Sequence, residues 1–248
     1  MSPPGRAGDP YDVASIAAGA VDLAMLDARM TGCRACPRLV AWREQVAARG
    51  RRSFAGQTYW GRPVPGFGDP AARLLVLGLA PAAHGGNRTG RVFTGDRSGD
   101  WLFAGLHRAG LANQPSSVSR DDGLTLAGVR VSAAVRCAPP GNTPSPEERD
   151  TCAAWLDREV ELLRPTLRAV LALGGFAWRA GLAVLARAGA RLPRPRPDFG
   201  HESVCQVGGV TLVGCFHPSQ QNTFTGRLTE AMLDSAIVRA AEAAGLTS

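Results

Sequence analysis

Four of the six cysteines have spacings that could bind a metal ion or an iron–sulfur cluster. Cys33 and Cys36 form a Cys-x2-Cys pair, and Cys137 and Cys152 form a Cys-x14-Cys pair. Structural zinc sites usually repeat a short spacing on both sides, and four thiolates from separated segments suit a [4Fe–4S] cluster at least as well. The spacing alone leaves zinc and free buried thiols open as alternatives.

A link between the two cysteine pairs would have an architectural role. Joining Cys36 to Cys137 closes a loop of about 100 residues, which restricts the unfolded chain considerably. The remaining two cysteines, Cys205 and Cys215, lie beside or within an apolar hairpin. We predict that these two are small core residues.

A carboxylate, an imidazole, an amide and an aromatic ring lie in segments rich in glycine or proline. Phe93 and Asp96 are three residues apart at the end of a glycine-rich segment. Asn142 lies in a turn that prolines fix, and His217 is followed by a proline. Imidazole and carboxylate groups can act as acid–base and electrostatic catalysts. The structural alternatives are core packing for Phe93, a helix N-cap for Asp96 and an ordinary turn for Asn142.

Alternating strand and helix patterns must position these residues. Continuous apolar runs followed by helices predict a largely parallel sheet that is covered on both faces. We therefore predict the α/β class, with a single three-layer α/β/α domain around a small, mostly parallel central sheet. The predicted strands are Leu74–Leu79, Val129–Val135, Ala169–Leu173 and Val210–Phe216, the last after a Gly208-Gly209 hairpin. The predicted helices are Val13–Met30, Arg38–Ala48, Ser98–Ala109, one capped by Ser145, Phe176–Arg187 and Thr229–Ala244.

Three loops directly follow predicted strands and contain most of the unusual residues. In sheets of this kind, ligands bind outside the carboxyl ends of the strands. We therefore expect the three loops to form one site. They are Ala80–Asp100, Cys137–Thr143 and His217–Thr225.

The cations limit the possible chemistry. All 28 basic residues are arginine, and the formal net charge is +7. Without a lysine amine there is no lysine Schiff base and no P-loop lysine, so both mechanisms are excluded. A basic surface favours a polyanionic partner such as a nucleic acid.

The chain has the composition of a soluble globular protein. Its 248 residues are enough to bury a core without disulfides. We expect residues 1–12 to be a flexible N-terminus, and residues 13–248 to form the single domain. The N-terminus lacks the pattern of a signal peptide, and no apolar stretch is long enough to span a membrane. We therefore expect a cytoplasmic monomer whose thiols stay reduced.

The loop sequences and the four-cysteine pattern closely resemble the family 5 (type b) uracil-DNA glycosylases. The resemblance covers about residues 33–233. It rests on several segments that agree in order and spacing: Gly-Leu-Ala-Pro-Ala at 78–82, Gly-Arg-Val-Phe-Thr-Gly-Asp at 90–96 and His-Pro-Ser-Gln-Gln-Asn at 217–222. Leu79, Ala80 and Ala82 are apolar, as is typical of type b, whereas type a enzymes have a motif like Gly-Glu-x-Pro-Gly.

The resemblance implies a role for each site residue. Asp96 would orient or deprotonate the attacking water, and His217 would stabilise the charge on the departing base. Phe93 would stack on the base, and Asn142 would read its edge. The resemblance also implies substrate contacts for Ala80, Ala82 and Asn222, DNA contacts for Ser219 and Gln220, and a [4Fe–4S] cluster on Cys33, Cys36, Cys137 and Cys152. Arginines flanking the motifs are candidate phosphate contacts, and these are Arg88, Arg91, Arg136 and Arg227.

These roles together describe a DNA repair enzyme that removes a base and leaves an abasic site. The expected partner is double-stranded DNA that contains deaminated or damaged bases, with single-stranded DNA as a further form of substrate. Uracil is the main expected base, and hypoxanthine, 5-hydroxymethyluracil and ethenocytosine are further ones, because a less polar pocket tolerates varied base edges. Two alternatives remain: a non-catalytic DNA-binding module that carries an iron–sulfur cluster, and a redox carrier that uses the cysteines.

Overall fold

The fold is built around one sheet of mixed direction. The computed structural model describes residues 10–246. Within them the strands are β1 (Phe67–Gly68), β2 (Leu74–Gly78), β3 (Val129–Ala133), β4 (Ala169–Leu173), β5 (Val204–Val207) and β6 (Val210–Cys215). Their order across the sheet is β1-β3-β2-β4-β6-β5. The four inner strands are parallel, and the two edge strands run antiparallel to their neighbours. The predicted mostly parallel sheet is therefore confirmed.

Helices cover both faces of this sheet. They are α1 (Pro10–Ala18), α2 (Leu23–Met30), α3 (Pro37–Arg49), α4 (Gly86–Thr89), α5 (Arg97–Arg108), α6 (Pro146–Leu163), α7 (Gly175–Arg187), α8 (Gln220–Phe224) and α9 (Glu230–Ala243). Along β2, Leu75 and Leu77 join a core with α1, α2, α6 and α7, whereas Leu74 and Val76 join a second core with α5 and α9. Burial on both faces explains why the inner strands are apolar runs.

The predicted helix Val13–Met30 is interrupted, which corrects the sequence analysis. The chain forms α1 and α2 instead, because Asp22 caps a new helix by accepting a 2.7 Å hydrogen bond from the Met25 N–H. Aspartate is a preferred N-cap residue, and this signal was missed. Of the segment predicted to be flexible, residues 1–9 lie outside the described residues, and α1 already begins at Pro10.

Other helix ends follow the local sequence signals. The Ser145 hydroxyl accepts a hydrogen bond from the Glu148 N–H, and the Glu148 carboxylate accepts one from the Ser145 N–H. This reciprocal capping box satisfies two amides that have no partner within α6. Thr229 caps α9 in a similar way, and Gly50 ends α3 with a φ of 62°.

Three short elements were missed because they contain too few residues to show a periodicity. β1 lies in the segment predicted as a long loop, and α4 and α8 lie in the first and third candidate loops. The Gly208-Gly209 hairpin was predicted correctly and joins β5 to β6. Among the described residues, the helices are too short or too polar to cross a bilayer.

Candidate active site

Residues from all three candidate loops line one cleft at the carboxyl edge of the sheet. The cleft has a volume of about 840 Å³. The loop after β2 contributes Ala82, His84 and Asp96, the loop after β3 contributes Asn142, and the loop after β6 contributes Ser219 and Gln220. Three segments that are distant in sequence are thus brought together by the parallel strand order.

Asp96 has both a capping role and a position in this cleft. Its Oδ1 accepts a hydrogen bond of 3.0 Å from the Gly99 N–H, which caps α5. A Cβ built on Gly85 would lie 1.9 Å from Asp96 Oδ2, so glycine at 85 allows the carboxylate to lie against the backbone. Burial raises the pKa of Asp96 above its usual value, although the Gly99 amide opposes the shift. A carboxylate with a raised pKa is a better proton acceptor.

Phe93 is held in a strained backbone conformation beside the end of β2. Its φ is 50°, which bulky residues rarely adopt, and its side chain is buried. A Cβ on Gly78 would lie 2.6 Å from the ring, so the absence of a side chain there makes room for it. The ring packs in the second core at the carboxyl end of β2 and is not among the residues that line the cleft, so the structure shows its core-packing role.

His217 lies next to this ring. The Phe93 and His217 ring centroids are 5.9 Å apart, with an interplanar angle of 33°. Burial lowers the pKa of His217 to about 4, so the imidazole is neutral near pH 7. Within residues 10–246, neither of its ring nitrogens has a hydrogen-bond partner, so both are available to a ligand. The carbonyl of His217 accepts hydrogen bonds from Ser219 N–H at 2.8 Å and Asn222 Nδ2 at 2.9 Å.

The remaining predicted site residues divide into cleft residues and supporting residues. Asn142 is exposed to the cleft with a φ of 55°, a left-handed conformation that asparagine tolerates. Ala82 lines the cleft, whereas Ala80 packs against the hydrophobic core. The side-chain amide of Asn222 donates to the His217 carbonyl and so holds the loop that contains His217.

The structure does not support Arg88 and Arg91 as phosphate contacts. Both side chains are buried, and their guanidinium groups bind the protein itself. Arg88 donates to the carbonyls of His84 and Gly95 at 2.8 Å, and Arg91 forms a 2.6 Å ion pair with Asp122. These arginines hold the glycine-rich loop together because its many carbonyls need buried donors.

Arg136, the third of the flanking arginines, is also buried. It pairs with Glu159, which also accepts a 2.6 Å hydrogen bond from Arg130. The two guanidinium groups hold the pKa of Glu159 at about 2, against the effect of burial. This network connects β3 and helix α6 with the loop that contains Cys137, so Arg136 has a structural role. Arg227, by contrast, is exposed, and its Cζ lies 4.7 Å from the centroid of the Phe216 ring.

Sequence reasoning missed His84 as a cleft residue. Its Nδ1 lies 2.9 Å from the Tyr59 hydroxyl, and the two rings meet edge to face with centroids 5.9 Å apart. Burial and the nearby Arg51 and Arg88 lower the pKa of His84. Tyr59 comes from the segment predicted as a long loop, and only the folded chain places it beside His84.

The four cysteines of the two pairs line one small apolar cavity. Cys33, Cys36, Cys137 and Cys152 surround it together with Leu39, Arg43 and Trp155. Arg43 Nη1 donates to the Cys137 sulfur at 2.9 Å, and the Arg136 N–H donates to the Cys152 sulfur at 3.2 Å. Burial and the neighbouring sulfurs raise the pKa of Cys36 to about 12. Within residues 10–246, no group of three or more His, Cys, Asp or Glu has a spacing that holds a single metal ion. Cys205 and Cys215 are buried core residues, as predicted.

Fold and cleft together define an α/β protein with a candidate hydrolytic site at the carboxyl edge of a parallel sheet. A family model described as the uracil DNA glycosylase superfamily matches residues 65–240. A type-5 uracil-DNA glycosylase of Mycobacterium tuberculosis is 57% identical over 232 residues, which are 93% of this chain and 85% of that protein. A type-5 enzyme of Thermus thermophilus is 52% identical over 88% of this chain and 96% of its own length.

More distant similarity extends to another branch of the same superfamily. A type-4 uracil-DNA glycosylase of Pyrobaculum aerophilum is 31% identical over 63% of this chain and 71% of that protein. The chain therefore belongs to the uracil-DNA glycosylase superfamily, and within it to the type-5 group.

Proposed function

We propose that the protein is a monofunctional DNA glycosylase that hydrolyses the N-glycosidic bond of uracil flipped out of duplex DNA. One observation carries the proposal: the ring of Phe93, which is on the loop that leads to Asp96, lies beside the neutral His217 imidazole. Membership of the uracil-DNA glycosylase superfamily supports the same substrate.

Binding begins with the extrusion of the uracil nucleotide. Flipping costs a few kcal/mol of unstacking and is cheapest at a mismatch such as uracil opposite guanine. The extruded base stacks on Phe93, and the Asn142 amide reads its edge. Ser219 and Gln220, which also line the cleft, contact the DNA strand.

Hydrolysis then replaces the bond between the base and C1′ with a bond to a water oxygen. The electron pair of the broken bond leaves with uracil, so negative charge develops on the base and positive charge on the sugar. His217, as a neutral donor, provides a hydrogen bond to the base oxygen, and Asp96 stabilises the sugar cation and takes the proton from water. Such preorganised groups each contribute about 10²-fold or more in rate.

The product is an abasic site in an intact strand. A glycosylase that also cleaves the strand needs an amine that forms an imine with the sugar. The chain has no lysine, so no lysine imine can drive β-elimination. The apolar Ala80 and Ala82 leave the pocket tolerant of other base edges, which supports hypoxanthine, 5-hydroxymethyluracil and ethenocytosine as further substrates. Single-stranded DNA is a further form of substrate.

The direct test is single-turnover cleavage of a duplex that contains one uracil, followed by alkali. The wild-type protein should create alkali-labile sites, and His217→Ala and Asp96→Ala should each lower the rate by about 10²-fold or more. His107→Ala and Asp121→Ala are matched controls, because both side chains are exposed. Binding of the duplex without alkali-labile sites would support the non-catalytic DNA-binding module instead. A wild-type rate in either site variant would remove that residue from the mechanism.

The same proposal includes a [4Fe–4S] cluster on Cys33, Cys36, Cys137 and Cys152. Support comes from the shared cavity of the four thiols and from the two N–H donors directed at their sulfurs. Thiolates are the usual ligands of such clusters. When bound, the cluster would cross-link the α2–α3 connection, the loop after β3 and helix α6, and its role is architectural.

The purified protein tests this assignment without an activity measurement. It should be brown, absorb at ~400 nm and contain about four iron and four sulfide per chain. Cys137→Ala should lower the iron content and the melting temperature, whereas Cys205→Ala should leave the iron content unchanged. A colourless protein with stoichiometric zinc would contradict the cluster.

A further inference from the structure

One wall of the cleft contains basic and donor groups that the proposed mechanism does not use. Arg51, Phe54 and His84 line the cleft together with Asn142 and Gln220. Within the part of the chain that the structure describes, the exposed Arg51 guanidinium has no ion-pair or hydrogen-bond partner. Arg51 and His84 line the same cleft. We name Arg51 and His84 the basic wall.

The Tyr59 hydroxyl fixes the orientation of His84 in this wall. Tyr59 is buried, and its oxygen lies 2.9 Å from His84 Nδ1. A phenol that donates to Nδ1 requires the imidazole proton to be on Nε2. In this arrangement His84 has an Nε2–H donor for a ligand in the cleft.

Both carboxylates and cations line the cleft. Asp96, Arg97 and Asp100 lie at the start of α5, and Arg51 lines the same cleft with His84 and Phe54. Arg88 Cζ lies 3.9 Å from the centroid of the Phe54 ring, so a second cation is close to these residues. Two cations and an N–H donor suit an anion with several acceptor oxygens.

We propose that the basic wall binds a backbone phosphate of the DNA strand next to the flipped nucleotide. Arg51 supplies the charge and His84 Nε2–H supplies a directed hydrogen bond, and Tyr59 is a positioning residue that acts through His84. The inference rests on the proposed function, since it requires DNA in the cleft. It also supplies a phosphate contact near the glycine-rich loop, where the buried Arg88 and Arg91 cannot provide one.

The first test measures affinity for a duplex that carries a non-hydrolysable 2′-fluoro-deoxyuridine, at several salt concentrations. Arg51→Gln should weaken binding about tenfold and reduce the slope of log K against log salt by about one, because one phosphate contact is lost. His84→Phe should weaken binding with little change in slope, because the lost donor is uncharged. Arg52→Gln is the matched control, since this arginine is exposed beside Arg51 but does not line the cleft.

A second test locates the phosphate by replacing one phosphate at a time with a neutral methylphosphonate. Near the flipped nucleotide, one position should weaken the wild-type protein but add little to Arg51→Gln, because the two changes remove the same contact. The proposal is wrong if Arg51→Gln retains the wild-type affinity and salt slope, or if its effect adds to every methylphosphonate. If the wild-type protein binds DNA but releases no uracil, the proposed function fails while this contact stands.

A third test separates the positioning role of Tyr59 from a merely structural one. Nitrogen-15 spectra of the four histidines should show His84 with its proton on Nε2, assigned by comparison with His84→Phe. Tyr59→Phe keeps the ring but removes the hydroxyl, so it should shift the Nδ1 signal and weaken binding as His84→Phe does. An unchanged Nδ1 signal in Tyr59→Phe would overturn this part of the proposal.

Discussion

Replacing His217 tests whether the candidate site contains a neutral imidazole. Burial lowers the pKa of His217 from 6.5 to about 4 in the folded protein. In the unfolded chain the ring takes a proton near its ordinary pKa, so acid favours unfolding. The sign follows from this order: the stability is unaffected by His217 above about pH 6.5 and falls as the pH drops toward 4.

The expected size of this effect follows from the two pKa values. Each unit of pKa difference corresponds to about 1.4 kcal/mol, so the full effect is about 3 kcal/mol below pH 4. Between about pH 7 and pH 5, the wild-type protein should lose roughly 2 kcal/mol through this residue. His217→Asn has no titrating ring, so its stability should fall by that much less over the same interval.

Urea unfolding at the two pH values measures this difference, and an NMR titration of the histidine rings gives the native pKa directly. The control is His107→Asn, which removes an exposed imidazole from α5. The reasoning fails if the His217 ring titrates near 6.5, or if the wild type and His217→Asn lose the same stability. The excision rate should likewise show no loss as the pH rises through 6.5, because a neutral ring is the active form.

Three further substitutions follow from contacts in the same structure. Glu159→Gln removes the carboxylate that pairs with two buried guanidinium groups, and urea unfolding should show a loss of about 3–5 kcal/mol. Ser145→Ala removes one half of the capping box of α6 and should cost about 1 kcal/mol in the same assay. Gly85→Ala places a Cβ 1.9 Å from Asp96 Oδ2, so it should displace this carboxylate. The single-turnover rate should then fall by about 10²-fold, as it should for loss of the carboxylate itself.

The sequence predicted the elements whose signals are local. The apolar run of β4 was predicted with its observed bounds, Ala169–Leu173, because a strand buried on both faces has no alternation to misread. The Ser145 cap was found because the serine and its partner Glu148 lie within one turn of each other. The three loops could be assigned to one edge because parallel strands all point the same way.

The direction of the arginine side chains could not be predicted in the same way. Arg88 and Arg91 lie among the residues that resemble a DNA-binding family, yet both turn inward to bind carbonyls and Asp122. Whether a guanidinium faces solvent depends on which acceptors the fold leaves unsatisfied, and these come from distant positions. The Tyr59–His84 contact is missed for the same reason, because 25 residues separate its members.

The charge distribution of the cleft fits a reaction whose leaving group is an anion. The ring of Phe93 and the uncharged His217 lie close together and are largely buried, whereas Arg51 is exposed at the cleft wall. A buried cation beside the base would stabilise the departing anion, but it would also repel the cationic sugar that forms at the same moment. In the proposed reaction, a neutral hydrogen-bond donor at the base and the carboxylate of Asp96 at the sugar stabilise both charges without that conflict. Cations outside the pocket can then bind phosphates without acting on the bond that breaks.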